Sequence, residues 1–448
     1  MFELASMASR FLFLLFMAVF LWQGISYILD ERGIRSRAKA ASWQRSSIVA
    51  THVLGFALLT AKGPGFNLEA LKLGGYGLAI LILGFALARF FFKGSCPLMW
   101  NGMFMLMDIG LITLARVDPG GVPHQALCMA IGLGATLAVP IVFMIIPKFE
   151  KLEFIYLLAG MTLVVLPFFI GNRQNGSLNW VDIRGFNFQP SEAAKFLYIL
   201  FLGSVLRKKL NFWGLIYPAV SAALFVLALT LQNDLGGALI FFMAFMIMLY
   251  ISTGKAWLFA AGMLAASAAS YAAFKALSHV QTRVAAWLNP WNDPFDKGHQ
   301  ILQSLFAIGT WGFLGSGLGR GSPGYVPVVK SDLIFAAICE EFGGLYGLAL
   351  IGVYIMIFYR GLHIALRSQR PYYSLLASGF TSILAIQTFL IIGGNIKFIP
   401  LTGVTLPFVS AGGSSAIVCI AMIGILQFIY GKSEPEEKEA APAEVVPA

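Results

Sequence analysis

The stretch VPVVKSDLIFAAICEEFGG, residues 326–344, decides how this chain is to be folded. It opens on Pro327, Lys330, Ser331 and Asp332, then becomes an apolar run carrying two adjacent carboxylates, Glu340 and Glu341. Before it lies a polar, Gly-rich segment, residues 277–331, the longest interruption of an otherwise apolar sequence. A carboxylate where such a segment enters a hydrophobic helix is costly unless it is paired, protonated or used. Read plainly, Ser331 or Asp332 is an N-cap at a membrane interface. Read functionally, Asp332 is a reactive carboxylate at the mouth of a membrane-embedded site.

Working outward, composition favours a membrane setting. Of 448 residues 58% are hydrophobic and only 12% charged, with a mean hydropathy of +0.79. No soluble globular domain has that balance. Apolar runs long enough to cross ~30 Å of hydrocarbon recur along the chain, so the expected fold is an all-α polytopic integral membrane protein. The net charge of +10 is then a matter of topology, and no nucleic-acid partner is expected. The cysteines (Cys96, Cys128, Cys339, Cys419) and histidines (His52, His124, His279, His299, His363) are scattered. Neither a disulfide framework, a metal site nor a resident cofactor is expected from them. The first apolar run lacks a convincing cleavage site and reads as a retained helix.

Three spans are expected at 10–29, 47–62 and 69–92, the second the weakest. Ten more follow at 98–115, 124–147, 152–171, 191–206, 211–231, 236–252, 256–276, 332–359, 372–394 and 413–430. Basic residues recur at alternate connections: Arg32, Arg35, Arg37, Lys39 and Arg45; Arg89 and Lys93; Lys148 and Lys151; Arg207, Lys208 and Lys209; Lys255; Arg360, Arg367 and Arg370. The positive-inside rule makes that side cytoplasmic. The outer side then carries the N-terminus and the segments 172–190, 277–331 and 395–412. Residues 1–97 read as an N-terminal membrane extension and 98–431 as the core. The Glu-, Ala- and Pro-rich residues 432–448 read as a disordered cytoplasmic tail.

The outer segments hold the chemistry. In NWVDIRGFNFQPSEAAKF (179–196), Pro190 suits a first helical turn, with Ser191 and Glu192 near its positive end. Glu192 and Lys195 share a helix face. They form either an interfacial ion pair beside the belt residue Trp180, or one wall of a cavity in which Arg184 and Lys195 offer cations to a phosphate. In LQNDLGGAL (231–239), Asp234 reads as a tight turn between helices. RVAAWLNPWNDPFDKGHQ (283–300) has turn chemistry at Asn289-Pro290 and Asp293-Pro294. ILQSLFAIGTWGF (301–313) reads as an interfacial amphipathic helix. GSGLGRGSPG (315–324) looks like a nucleotide loop but lacks a βαβ setting; it reads as a mobile lid or binding loop. GGNIKFIPLTGVTLPFVSAGGSS (393–415) is non-helical backbone of the kind tolerated when it lines a cavity. Its Lys397 is either a phosphate contact or a snorkelling side chain.

Taken in order, WVDIRGFNFQPSEAAK, QNDLGGAL, NPWNDPFDKGHQILQSLFAIG, PVVKSDLIFAAICEE and NIKFIPLTGVTLPFVSAGGSS resemble the SEDS family of bacterial cell-wall proteins, which includes RodA, FtsW and SpoVE. The likeness covers about residues 98–431. It implies a ten-helix core, to which about three N-terminal helices are added here. It also implies a glycosyltransferase of the bacterial plasma membrane that polymerises lipid II on the extracytoplasmic side, paired with a class B penicillin-binding transpeptidase. The role, whether in elongation, division or sporulation, stays open. The essential carboxylate of the family motif falls on Asp332, with Lys330 in place of its His and Leu333 in place of a Phe. Gln189, Glu192 and Lys195 keep the family pattern, and Gln300 follows Gly298-His299 where Gly-Tyr is usual. Gln189, Glu192, Gln300 and Ser304 join Arg184, Lys195, Lys330 and Lys397 as the expected substrate contacts.

In that reaction Asp332 would be general base for the acceptor hydroxyl. The cations would stabilise the departing diphosphate, Lys330 either contacting a phosphate or lowering the pKa of Asp332. No cofactor is evident, and a divalent cation at the diphosphate remains compatible. Two other classes fit the same residues. One is a flippase for a lipid-linked precursor, and the other a non-catalytic scaffold for a transpeptidase.

Overall fold

The computed structural model describes residues 2–29, 34–62, 65–92, 94–146, 148–174, 177–183 and 186–440. It opens with α1 (Phe2–Leu29), α2 (Ile34–Thr60) and α3 (Leu68–Phe90), followed by α4 (Pro97–Val117), α5 (Val122–Ile145), α6 (Glu153–Val165) and the short α7 (Pro167–Ile170). A small antiparallel sheet comes next, β1 (Asn172–Gln174), β2 (Ser177–Ile183) and β3 (Phe186–Phe188), in that order across the sheet. Four helices follow it: α8 (Pro190–Leu206), α9 (Ile216–Leu231), α10 (Leu235–Thr253) and α11 (Ala256–Ala276). The chain ends with α12 (Ser278–Leu288), α13 (His299–Thr310), α14 (Ile334–Phe342), α15 (Gly344–Arg367), α16 (Pro371–Asn395) and α17 (Gly413–Ala440).

Among the described residues eleven helices are long and apolar enough to cross a membrane. The 17-residue α8 falls short of that by length, and the charged N-terminal part of α2 lowers its apolarity. Both still run the depth of the bundle. Arg207, just past α8, donates from Nε to the Glu150 carbonyl at the end opposite the sheet. The 27 residues of α2 extend ~40 Å at 1.5 Å per residue. With these two, thirteen helices among the described residues correspond to the thirteen spans expected, and the protein is a multi-pass helical membrane protein.

The three N-terminal helices are built into the bundle. α1 and α2 form a hairpin against α15 and α4, and α3 lies on α2, α4 and α5. Every residue of α4 from Leu98 to Ala115 is buried. That face-to-face burial brings polar groups together. His52 Nδ1 on α2 lies 2.6 Å from Asp108 Oδ1 on α4, and its Nε2 lies 3.1 Å from the Gly74 carbonyl of α3. Asn101 of α4 donates to the Ala41 carbonyl at 3.1 Å and to Gln44 at 3.2 Å.

Three features depart from the expectation. The single span expected at 332–359 is two helices, broken at Gly343, whose φ of +98° places it where L side chains are strained. A Cβ there would also run into the Phe313 carbonyl and Leu314. The segment 172–190 carries the sheet, with Val181 opposite Phe188 and Asp182 opposite Asn187. And α17 continues to Ala440, because Glu, Lys and Ala are strong helix formers. The remainder of the expected disordered tail, 441–448, lies outside the described residues.

Removing His52 leaves the Asp108 carboxylate buried and unpaired, a change that costs about 3–5 kcal/mol. We expect His52→Ala to lower the melting temperature of the detergent-solubilised protein sharply. The double change His52→Leu with Asp108→Leu should lose less than His52→Ala alone. Equal losses would mean the pair adds nothing beyond packing.

Candidate active site

At the end of the bundle where α8 begins and α16 finishes, the loops enclose a cavity of about 420 Å³. Its walls come from β2, the starts of α8 and α10, α12, the segment before α13, the turn before α14, and the segment 401–412. The sheet is moored to the α9–α10 turn: Leu178 N donates to the Gln232 carbonyl at 2.9 Å, and Ser177 Oγ to that of Asn233 at 3.1 Å. α12 is moored over the opposite wall by Trp287 Nε1, which donates to the Lys397 carbonyl at 3.1 Å.

Asp332 reaches this cavity from a tight turn. Val328 has a φ of +47° and its carbonyl accepts from the amides of Ser331, Asp332 and Leu333. The turn is held from behind. Asn395, the last residue of α16, donates to the Asp332 carbonyl at 2.8 Å, and Ser410 Oγ donates to the Ser331 carbonyl at 2.5 Å. Gly403, with a φ of +71°, brings bare backbone up to the carboxylate. Burial raises the Asp332 carboxyl to about 6, against the Ser331 hydroxyl and the Arg283 charge, which pull it down.

Across the cavity, Lys195 Nζ donates to Glu192 Oε1 at 2.8 Å and to Gln387 Oε1 at 3.1 Å. Gln387 in turn donates to the Thr405 carbonyl at 2.8 Å and to Ser415 at 3.3 Å, so α8, α16, α17 and the 401–412 segment share one buried network. Asp234 caps α10 through the Gly237 amide at 2.8 Å and accepts from Asn179 Nδ2 at 3.0 Å and Gln189 Nε2 at 3.4 Å. Three atoms of lining residues, Glu192 Oε2, Asn179 Oδ1 and Thr402 Oγ1, are buried without a hydrogen-bond partner. Unsatisfied groups clustered on one cavity are an invitation to a polar ligand.

Of the residues singled out from the sequence, Gln189, Glu192, Lys195, Gln300 and Asp332 line the cavity together. Arg184 lies outside the described residues. Ser304 is buried behind the wall, donating to the Asn395 carbonyl at 2.8 Å. Lys397 contributes its backbone, with a φ of +59° and the carbonyl bonded to Trp287. Lys330 points elsewhere: its side chain is more than half exposed and its Nζ pairs with Asp118 at 2.8 Å. Turned away in this manner, Lys330 does not lower Asp332, and burial raises the carboxyl instead. Sequence reasoning did not single out Arg283, Lys297, Thr282 and Asn179, all of which line the cavity. The first two both lie in the stretch 283–300, which was read only for its turns. The Gly-rich segment, expected as a mobile lid or a binding loop, is anchored to the bundle, with Arg116 Nη2 donating to the Gly321 carbonyl at 2.8 Å and Ser322 N to Glu340 Oε1 at 2.6 Å.

Comparison with known proteins places this architecture. Residues 78–434 match the family FTSW_RODA_SPOVE, described as cell cycle protein. The chain is 32% identical over 394 residues to the peptidoglycan glycosyltransferase RodA of Mycobacterium tuberculosis (strain ATCC 25618 / H37Rv), covering 80% of this chain and 84% of that one. It is 34% identical over 365 residues to the probable peptidoglycan glycosyltransferase FtsW of Thioalkalivibrio sp. (strain K90mix), covering 75% and 90%. Among solved structures it is similar to a chain from work on structural coordination of polymerization and crosslinking by a peptidoglycan synthase complex. The TM-score there is 0.66 at 25% identity, over 76% of this chain and 98% of that one. The rod shape determining protein RodA of Thermus thermophilus shares the fold with a TM-score of 0.56 at 23% identity, over 75% and 96%. By the extent of these matches, and by the ordered outer motifs that build its cavity, the chain belongs to the FtsW/RodA/SpoVE family of cell cycle proteins.

Proposed function

We propose that the chain is a peptidoglycan glycosyltransferase that polymerises lipid II in this cavity, with Asp332 as general base. The observation that carries the reading is one cavity holding a raised, buried carboxylate together with three cations, Lys195, Arg283 and Lys297. Joining a sugar hydroxyl to a donor on a polyprenyl diphosphate forms a bond from that oxygen to the anomeric carbon and breaks the carbon–oxygen bond to the diphosphate. The hydroxyl proton passes to Asp332 and the electron pair leaves with the diphosphate, whose charge the cations meet. The leaving group is acidic enough to need no second carboxylic acid, unlike the paired-carboxylate plan of glycosidases. Direct displacement inverts the anomeric centre.

The cavity lies at the end of the bundle opposite Lys148, Lys151, Arg207, Lys208, Lys209 and Lys255. The positive-inside rule then supports an extracytoplasmic site in the plasma membrane. Its floor is formed by Glu192, Lys195 and Gln387 and, below them, by the mutually packed rings of Tyr198, Phe225 and Phe241 with centroids 4.8–5.4 Å apart. Such a floor favours chemistry at one face over passage between faces. The reaction needs no resident cofactor. A divalent cation at the diphosphate is compatible with the unpartnered oxygens of Glu192 and Asn179 on the same wall. The likeness to a chain of a peptidoglycan synthase complex supports a class B penicillin-binding transpeptidase as partner.

The first test is glycan-chain formation from purified lipid II, with and without that partner. Asp332→Ala and Asp332→Asn should each abolish polymer, and polymer from either variant would remove the base assignment. For the native protein kcat/KM should rise with pH through about 6 and then level off, because the base acts ionised. A profile flat between pH 5 and 8 would contradict this. The same shift has a stability sign. The folded state holds the Asp332 proton more tightly than the unfolded chain, so this contribution is full at low pH and is lost as pH rises through about 6. The Asn variant should therefore melt higher than the native protein at pH 8, which also shows that its inactivity is not misfolding.

The cations separate by position. Arg283→Ala should lower the polymerisation rate by about 100-fold, the usual loss for a group that stabilises transition-state charge. Lys330→Ala, on the outer surface, should stay within about twofold of native, as exposed ion pairs contribute little. The reverse order would restore Lys330 as the phosphate contact.

A further inference from the structure

The Gly-rich loop at 315–322 is gripped from three sides. α14 holds it through the Glu340 and Glu341 carbonyls, which accept from the Ser316 and Gly317 amides at 2.9 Å each. α4 holds it through Arg116, which bonds both the Gly321 carbonyl and Glu341. The third grip comes from α1. Ser6 Oγ donates to the Leu318 carbonyl at 2.7 Å and Arg10 Nη1 to the Gly315 carbonyl at 3.0 Å. Ser6 and Leu318 are both buried. Gly317, with a φ of +95°, lies so close to α1 that a Cβ would come within 2.7 Å of the Ser6 backbone oxygen. A loop with no ladder of its own must find partners for its carbonyls elsewhere, and α1 supplies two of them. Phe13 of α1 also packs edge-on to Phe342 at 4.9 Å, at the far end of α14.

From this grip the chain runs to the cavity without slack. It makes the turn Pro323–Tyr325, buries Val326 against Leu333, Ala336 and Ala307, and closes on the Val328 carbonyl that fixes Asp332. α1 lies outside the part of the chain that matches the family, residues 78–434. We propose that α1 is a positioning element for the reaction, Ser6 and Arg10 clamping the 315–322 loop and thereby setting the placement of Asp332. The proposal rests on the reading of Asp332 as the base. It makes the first helix part of the catalytic apparatus without contact with substrate, acting through one loop and one turn.

The test uses the full-length protein with its partner and compares native, Arg10→Ala, Arg10→Lys and the double change Ser6→Ala with Arg10→Ala. Backbone amide exchange across 315–333 is measured beside lipid II kinetics. The double variant should exchange faster throughout that segment and lose about tenfold or more in kcat, in line with the cost of small misplacements at a reacting centre. KM should stay within about twofold, because no substrate contact is touched. Its pH–rate midpoint should move below the native value as water reaches Asp332, and Arg10→Lys should recover part of the rate. Unchanged exchange overturns the proposal, as does faster exchange with native kcat. A rate loss that only tracks the loss of folded protein, with the pH midpoint unmoved, overturns it too. Polymer from Asp332→Ala would instead sink the base assignment, while the exchange measurement still judges the clamp by itself.

Discussion

Asn395 is the residue on which the site depends. It ends α16, is fully buried, and satisfies irregular backbone from three directions. Its side-chain nitrogen donates to the Asp332 carbonyl and its side-chain oxygen accepts from the Ala336 amide of α14. Its own carbonyl accepts from Ser304 of α13. Inside a membrane protein a backbone that leaves helical geometry must have every polar group met by other protein groups. One amide side chain meeting that demand lets α14 begin next to a tight turn instead of extending a helix outward. The Asp332 carboxylate therefore stands where a continuous helix would have hidden it.

Asp332 shows how the competing electrostatic effects resolve. Burial alone raises its carboxyl well above the ordinary carboxylate range, and the nearby Arg283 and Ser331 bring it back to about 6. A base that titrates near there is mostly ionised at neutral pH yet still receives a proton readily. Had Lys330 turned inward, as its place in the sequence suggests, the carboxylate would be more acidic and a weaker base. By pairing Lys330 with Asp118, the fold keeps that charge out of the cavity, where the lining cations are Lys195, Arg283 and Lys297.

Much of this was legible beforehand, for identifiable reasons. Helical spans announce themselves by length and apolarity. The i, i+3 spacing of Glu192 and Lys195 foretold a pair that is 2.8 Å apart. Asp234 read as a turn residue and does cap α10, yet it also lines the cavity. The small sheet was missed, although Asn175-Gly176 is the strongest short-range hairpin signal there is; the apolar setting drew attention to helices. Arg283 and Lys297 were passed over because their importance is purely tertiary. An isolated cation has no periodicity to betray it, and the Trp287 bond to the Lys397 carbonyl helps to hold α12, which carries Arg283, over the cavity. The break at Gly343 did have a signal, Gly343-Gly344 directly after Glu340 and Glu341, but the length of the apolar sequence on either side carried the expected span through it.

The burial of α4 answers a question that the family resemblance leaves open, namely what the N-terminal helices are for in structural terms. Asn101 and Asp108 are seven residues apart and so lie on one face, where both meet α2. Arg116, at the end nearer the site, meets Glu341 and the Gly-rich loop. No helix facing lipid could carry an aspartate at mid-depth without severe cost. The sequence of α4 is therefore tenable only with α2 and α3 packed against it, and those helices must be in place for Arg116 to be held where it grips the loop. The extension and the site are connected through α4 as well as through α1. The first helices of the chain thus belong to the same cooperative structure as the carboxylate they never touch.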